Sequence, residues 1–541
     1  MPEKKHGRRM SVHDPGQNEF ISRRSIVYGS NGVVATSQPL AAQVGLKMLQ
    51  DGGNAVDAGV ATMAALGVLE PMDSGFGGDA FALVALPHDG EVVGLNGSGG
   101  AGSRRTAEEL RSLGLKTMPT GNPGEGHVGM TVTIPGALKA WDALLQRYGT
   151  VQLHHALEPA ERLAAEGFPV AEVSSWLWQR YVSRLRAYPG GHELMLGSRA
   201  PRTGETVSLP TLAATIQEIR RFGPERLYSG PLAERIVATV QELGGALSLR
   251  DLAGYAPEWV KPISERYGEY RMYQCPPNGQ GVVALLALRG LDNGQPALYT
   301  ESADRAHAVV TELMSAFDLA TRHVGDPRTG GISYEELLRV APLDPRVTVR
   351  PSDRGSDTGY VAVVDSTGMA CSLIVSLFEG FGTGAVVPGT GIALQNRGAL
   401  FSLEEGHPNE LQPGKRPYHT IMPSILTRDD GWLAAFGVVG GFRQPQAQVQ
   451  IMMNISDHHM GLQKAIDWPR LGIEMETGEV VLEPGFSESV IKFLRSAGLQ
   501  VRHVDGYDRG FTGSAQIACR LPTGVIAGAS DPRKDGCAVA Y

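Results

Sequence analysis

The chain has 541 residues, 42% of them hydrophobic and 20% charged, with a net charge of −8. This is the make-up of a globular chain long enough for two to four domain-sized units or one large enzyme. The slight acidity and the scattered basic residues near the start (Lys4, Lys5, Arg8, Arg9, Arg23, Arg24) exclude an electrostatic footprint for nucleic acid. No run of about 18 apolar residues predicts a membrane span, and Ser22-Arg23-Arg24-Ser25 is not followed by the apolar region of an export signal. A cytoplasmic location is therefore expected.

In chain order, residues 1–24 are polar and read as a mobile terminal segment. Ala41 to Leu49 has the pattern of an amphipathic helix, ended by Asp51-Gly52-Gly53. Asn54 then reads as the N-cap of an apolar helix from Ala55 to about Leu69. The Gly-rich loop Asp73 to Asp79 leads into a strand over Ala80–Leu86. Residues 136–166 and 211–245 read as helical, with a Pro/Gly/Arg-rich connection from Tyr188 to Thr206. Ser302 to His323 predicts another long helix. From Tyr360 onward short strands predominate: Tyr360–Val364, Ala370–Leu377, Gly391–Leu394, Trp432–Val439, Val480–Leu482 and Ser514–Cys519. Helices are expected near Gln446–Met460 and Ser487–Ala497. Strands layered with helices mean α+β or α/β.

Several constellations carry little chemistry. The four cysteines (Cys275, Cys371, Cys519, Cys537) lack metal or redox spacing. The pairs His154-His155 and His458-His459 are adjacent, and neighbours point in different directions, so they chelate poorly. Gly380-Phe381-Gly382-Thr383-Gly384 lacks the Gly-Lys-Ser/Thr ending of a phosphate loop. Asn96-Gly97-Ser98-Gly99-Gly100 has Asn96 where a nucleophile elbow needs glycine. No metal and no cofactor are expected.

Four others carry more. Gly440-Gly441 follows the strand ending at Val439, and two unobstructed backbone N–H groups there could receive an oxyanion or simply make a tight turn. Gln395-Asn396-Arg397-Gly398 and Lys415-Arg416-Pro417-Tyr418-His419-Thr420 suit recognition of a small carboxylate, or are solvated loops. Thr358 stands between the polar run Pro345–Asp357 and a strand-like run. It is either a β-branched strand opener or, if the chain cuts itself before it, a nucleophile whose freed α-amine serves as its base.

From Gly32 to Tyr541 the chain resembles the γ-glutamyltransferase family of N-terminal-nucleophile hydrolases. The likeness is carried in order by Val34-Ala35-Thr36-Ser37-Gln38-Pro39, Gly52-Gly53-Asn54-Ala55-Val56-Asp57-Ala58, Glu70 to Gly78, Ile134-Pro135-Gly136, Leu157-Glu158-Pro159-Ala160, Lys415-Arg416-Pro417, Val439-Gly440-Gly441 and Ala529 to Arg533. The resemblance implies an α+β fold of four layers, an αββα sandwich. It also implies self-cleavage between Asp357 and Thr358, into a large subunit (residues 25–357) and a small one (358–541) that stay together as a heterodimer and possibly dimerise further. It makes Thr358 the nucleophile, Ser376 the neighbouring hydroxyl, and Gly440 and Gly441 the oxyanion donors.

The departures from the family bear on substrate. Ser98 stands where γ-glutamyl enzymes place an arginine for the substrate α-carboxylate, and Leu400 stands where they place an acid for the α-amino group. His419-Thr420 replace paired serines, and Arg397 replaces a glutamine. Gln395-Asn396-Arg397-Gly398 and Pro276-Pro277-Asn278-Gly279-Gln280-Gly281 look more like the acylase and oxamate-amidohydrolase branch. The expected activity is hydrolysis of a small amide carrying a carboxylate, bound by Arg397 with His419 and lined by Asn396, Thr420 and Ser98. The alternatives are a true γ-glutamyl hydrolase or transferase acting on glutathione, and an uncleaved, non-catalytic scaffold. Arg443 is unusual for the branch and carries no assigned role.

Overall fold

The two longest strands, Ser356–Asp365 and Ala370–Glu379, pair with each other antiparallel at the centre of one sheet. The computed structural model describes residues 24–87, 90–120, 125–292, 302–340 and 356–541, with Ser356 and Asp357 described by backbone alone. The polar terminal stretch up to residue 23, and most of the run leading to Thr358, lie outside the described residues. Arg24, the last residue of that terminal segment, donates to the Gly536 carbonyl at 2.6 Å.

Two seven-stranded sheets are stacked. The first runs Cys537–Ala540, Gly32–Thr36, Ser356–Asp365, Ala370–Glu379, Asp79–Ala85, Val92–Gly97, Glu258–Val260. The second runs Val27–Gly29, Ile526–Ser530, Ser514–Arg520, Leu433–Val439, Ser424–Arg428, Tyr270–Gln274, Ile263–Tyr267. Alternation along the strands sorts the side chains. Val361 and Val363 join a core with the helix Ala55–Leu69. Tyr360, Ala362 and Val364 pack between the sheets against Ile425, Ala435 and Ala518. On the far side Leu426, Ala434 and Phe436 meet the helices Gly281–Leu291, Ala303–His323 and Arg443–Ser456. The order is helices, sheet, sheet, helices, the αββα sandwich expected from the resemblance.

Local sequence explains the helix next to the sheet that carries Thr358. Asn54 Oδ1 accepts from the Val56 and Asp57 amides, and Asp57 returns a bond to Asn54 N, a full capping box. All fifteen residues of Ala55–Leu69 are buried, as a helix apolar on every side requires. The sheets approach closely at Gly437, where an added Cβ would lie 2.4 Å from the Tyr360 ring. Tyr360 therefore needs glycine opposite it, and its hydroxyl is satisfied by Ser372 Oγ at 2.7 Å.

The structure also differs from expectation. Seven of the fourteen strands precede residue 340, so the β character is not confined to the last third. Gly32–Thr36 is buried at all five positions and shows no alternation to read. The helix Glu172–Arg186, in a stretch not assigned from sequence, buries Val173, Leu177, Trp178, Tyr181 and Leu185.

Candidate active site

Thr358 sits where the two central strands lose register. Asp357 pairs with Phe378, but Gly359 pairs with Val375, so Ser376 and Leu377 together face Thr358, a bulge on the partner strand. Phe378 takes φ 82°, a left-handed conformation costly for a bulky residue. Its amide donates to Ser376 Oγ at 2.8 Å. The bulge thus fixes Ser376 Oγ as acceptor of the Thr358 hydroxyl at 3.3 Å.

Arg397 completes a short relay. Its Nη2 donates to Ser376 Oγ at 2.9 Å and its Nη1 to Thr420 Oγ1 at 2.5 Å. The guanidinium lies 4.6 Å from the Phe378 ring centroid, a cation–π contact. Arg397, Ser376, Thr358 and Thr420 are all fully buried. Burial lowers the Arg397 pKa to about 9, against the pull of the Asp79 charge. At neutral pH the group remains a cation.

Asp79, at the start of its strand opposite Ser376, balances that cation and was not singled out from sequence. Its Oδ1 accepts from the Gly99 and Gly136 amides, both at 3.1 Å, and from Gln395 Nε2 at 2.9 Å. His419 Nε2 lies 3.2 Å from Oδ2. Burial pushes the Asp79 carboxyl up to about 7, with Gln395, the Arg397 charge and the two amides pulling the other way. The Ile421 amide donates to His419 Nδ1 at 3.3 Å, so the ring proton resides on Nε2 and faces Asp79. Burial, and then the Arg397 charge, hold His419 well below its usual pKa, so it is neutral. Both ring nitrogens are committed to protein partners.

Asn396 and Ser98 are likewise committed. The Asn396 amide accepts from Glu379 N at 3.2 Å and donates to the Thr120 carbonyl at 3.0 Å. Ser98 Oγ donates to Asn96 Oδ1 at 2.9 Å and accepts from Asn278 Nδ2 at 3.2 Å. Leu400 packs against the helix-side core of the second sheet.

Gly440 and Gly441 take φ of 123° and 56°, open to glycine and strained for other residues. They end the Leu433–Val439 strand and precede the helix Arg443–Ser456. Their carbonyls accept from Arg443 and Gln444. Gln280 Nε2 also donates to the Gly441 carbonyl at 2.7 Å, and it bonds the Thr420 carbonyl as well. The N-terminus of a fourteen-residue helix favours negative charge. Gln280, read from sequence only as part of a family stretch, is the clamp on this turn. Among the described residues no group of His, Cys, Asp and Glu could hold a metal.

A strand-borne threonine hydrogen-bonded to a second hydroxyl, in one of two stacked antiparallel sheets whose other member ends a strand in a glycine turn, is the arrangement of N-terminal-nucleophile hydrolases. Residues 41–541 match the family model described as gamma-glutamyltranspeptidase, and the chain belongs to that family. It is 34% identical over 527 residues to the glutathione hydrolase-like YwrD proenzyme of Bacillus subtilis (strain 168), covering 95% of this chain and 99% of that one. It is 32% identical over 532 residues to the oxamate amidohydrolase proenzyme of Klebsiella pneumoniae, covering 95% and 99%. Among solved structures, the cephalosporin acylase from Bacillus halodurans superposes with a TM-score of 0.88 at 40% identity, covering 98% of this chain and 99% of that one. The chain is an enzyme of the gamma-glutamyltranspeptidase family, whose members act from processed precursors, and the scaffold alternative is set aside.

Proposed function

We propose that this enzyme cleaves itself between Asp357 and Thr358 and then hydrolyses small amides whose scissile carbonyl stands next to a carboxylate. The observation that carries this reading is the Thr358–Ser376–Arg397 relay. Two hydrogen-bond lengths, 3.3 and 2.9 Å, separate the Thr358 hydroxyl from a buried guanidinium. A cation that close suits a carboxylate attached directly to the carbonyl under attack. The reading agrees with a relative named for oxamate.

In the precursor, Thr358 Oγ attacks the Asp357 carbonyl, the peptide becomes an ester, and water cleaves it. The freed α-amine has an ordinary pKa of about 7.7–8.0 and takes the Oγ proton in the next reaction. Thr358 attacks the substrate amide, Gly440 and Gly441 amides receive the oxyanion at a positive helix end, and the proton leaves with the amine. Water releases the acid. Arg397 binds the carboxylate. His419, neutral and doubly bonded, holds Asp79 in place, while Asn396 and Ser98 shape the walls and Thr420 orients Arg397.

Intact mass of the wild type and of Thr358→Ala tests the first half. Two fragments with Thr358 at a new N-terminus are expected in the former, one full-length species in the latter. A panel of oxamate, glutaryl and γ-glutamyl amides tests the second. A second reading, glutathione hydrolysis, is favoured by the YwrD relative's name. It predicts γ-glutamyl turnover, which the hydrogen-bonded Ser98 and apolar Leu400 do not support with charge.

A further inference from the structure

A cavity of about 540 Å³ adjoins the glycine turn, and Gly440 is part of its wall. Its other walls are tied to Ala370–Glu379, the strand that carries Ser376 and pairs with that of Thr358. Tyr181 packs where a Cβ on Gly380 would stand, 2.3 Å from the ring, just past the bulge. Lys534 pairs with Asp73, whose carbonyl accepts from Leu377 N at 3.3 Å.

The lining combines flat surfaces with cations. Trp176, Tyr181, Tyr507 and Phe511 contribute rings. The Arg443 guanidinium lies 4.0 Å from the Phe511 centroid and that of Arg502 lies 4.9 Å away. Glu474 is 3.9 Å from Arg443 and 3.4 Å from Arg502, so one carboxylate in the wall serves two guanidinium groups, Glu479 helping Arg502 at 2.9 Å. Arg180 adds a further cation, opposite Asp508 at 3.5 Å.

This chemistry, together with the acyl reading above on which it rests, indicates what lies beyond the scissile nitrogen. Ammonia, the leaving group of a primary amide, has no use for such a space. We propose that the cavity holds the amine half of the substrate, an amine bearing a planar ring and a carboxylate, and that Arg443 is the specificity-determining residue that receives this carboxylate. The ring stacks among Trp176, Tyr181 and Phe511. In the reaction the bond from Thr358 Oγ to the acyl carbon forms first, giving the oxyanion, and the C–N bond then breaks as the oxyanion collapses. The Oγ proton passes through the α-amine to the departing amine, and water then hydrolyses the ester to the free acid.

The experiment uses the mature enzyme with two N-aryl oxamates that differ only at the ring's para position, carboxylate against neutral carboxamide. Wild type is expected to show a kcat/KM about tenfold higher for the carboxylate. Arg443→Met should reduce that ratio to near one, and Arg443→Lys should restore part of it. An unchanged ratio in Arg443→Met, or no preference in wild type, overturns the proposal. Should oxamates prove inert, the same pair is made on whichever acyl group the panel identifies, so failure of the acyl reading leaves this ratio measurable. Binding of 4-aminobenzoate, followed by quenching of tryptophan fluorescence with Trp176→Phe as control, gives a readout independent of turnover. Weakening by about tenfold in Arg443→Met is expected, and equal binding in both counts against the cavity assignment.

Discussion

The Thr358–Ser376–Arg397 network and the surroundings of the Gly440 turn are built on opposite principles. Toward Ser376, Arg397 and Asp79 each named polar side chain is buried and bonded to protein, with distances of 2.5 to 3.3 Å. Toward Gly440 the wall opens into a cavity of about 540 Å³ whose cations are spread over rings and shared carboxylates. Buried networks of the first kind fix one geometry and tolerate little change. A roomy, ring-lined wall of the second kind discriminates more gently, by stacking and one or two charges. On the function proposed above, the acyl side would set whether a substrate reacts, and the amine side how well.

The strongest way to break this contrast is at its shared centre. Thr358→Ala should abolish both maturation and turnover, a loss on the order of 10⁶-fold in kcat as for other removed nucleophiles, read by intact mass and by amide hydrolysis. Next comes the tight side. Arg397→Ala should lower kcat/KM for carboxylate-bearing amides by roughly 10²–10³-fold, the cost of truncating one partner of a buried charge pair, with thermal melting to verify folding. An Arg397→Ala enzyme with unaltered KM for anionic amides would refute the role given to this residue. Gln280→Ala removes one of the two donors to the Gly441 carbonyl and should reduce kcat by roughly tenfold with little change in KM, the loss of one hydrogen bond felt at the proposed oxyanion turn. Steady-state kinetics separates the two parameters, and a change confined to KM would argue against a positioning role.

The smallest effect concerns pH. The folded Asp79 pKa, near 7, stands above its ordinary value of 3.8. Between those values the folded state binds the extra proton, so this group's contribution to stability falls as pH rises from about 4 to 7. Asp79→Asn should flatten that stretch of a melting-temperature profile. A slope identical to wild type would show that the carboxyl ionises as freely in the folded chain as in the unfolded one.

Legibility from sequence followed the range of the interactions. The Asn54 cap and its helix were readable because donor and acceptor lie three residues apart. Thr358, Ser376 and the glycine pair were reached through family likeness, and the structure brings the first two within hydrogen-bond distance. Asp79 and Gln280 were missed because their partners are 340 and 161 residues away. An acid flanked by Gly77-Gly78 and an apolar strand was the one available signal for Asp79, since such a position buries a charge that must find a partner. Gly32–Thr36 and Glu172–Arg186 escaped for a different reason. The strand is buried on both faces, and the helix mixes arginines and serines with its apolar stripe.

The strand order has one more implication. In the first sheet Ser356–Asp365 is flanked by Gly32–Thr36 on one side and Ala370–Glu379 on the other, and Asp79–Ala85 follows beyond. A scission before Thr358 would leave pieces threaded through each other like the teeth of a closed zip, with ladders from both fragments alternating across one surface. Such a pair has no seam along which to part. The nick would alter which atoms can react while leaving the melting transition a single event, and the halves, once unfolded, would have to find each other again as strangers.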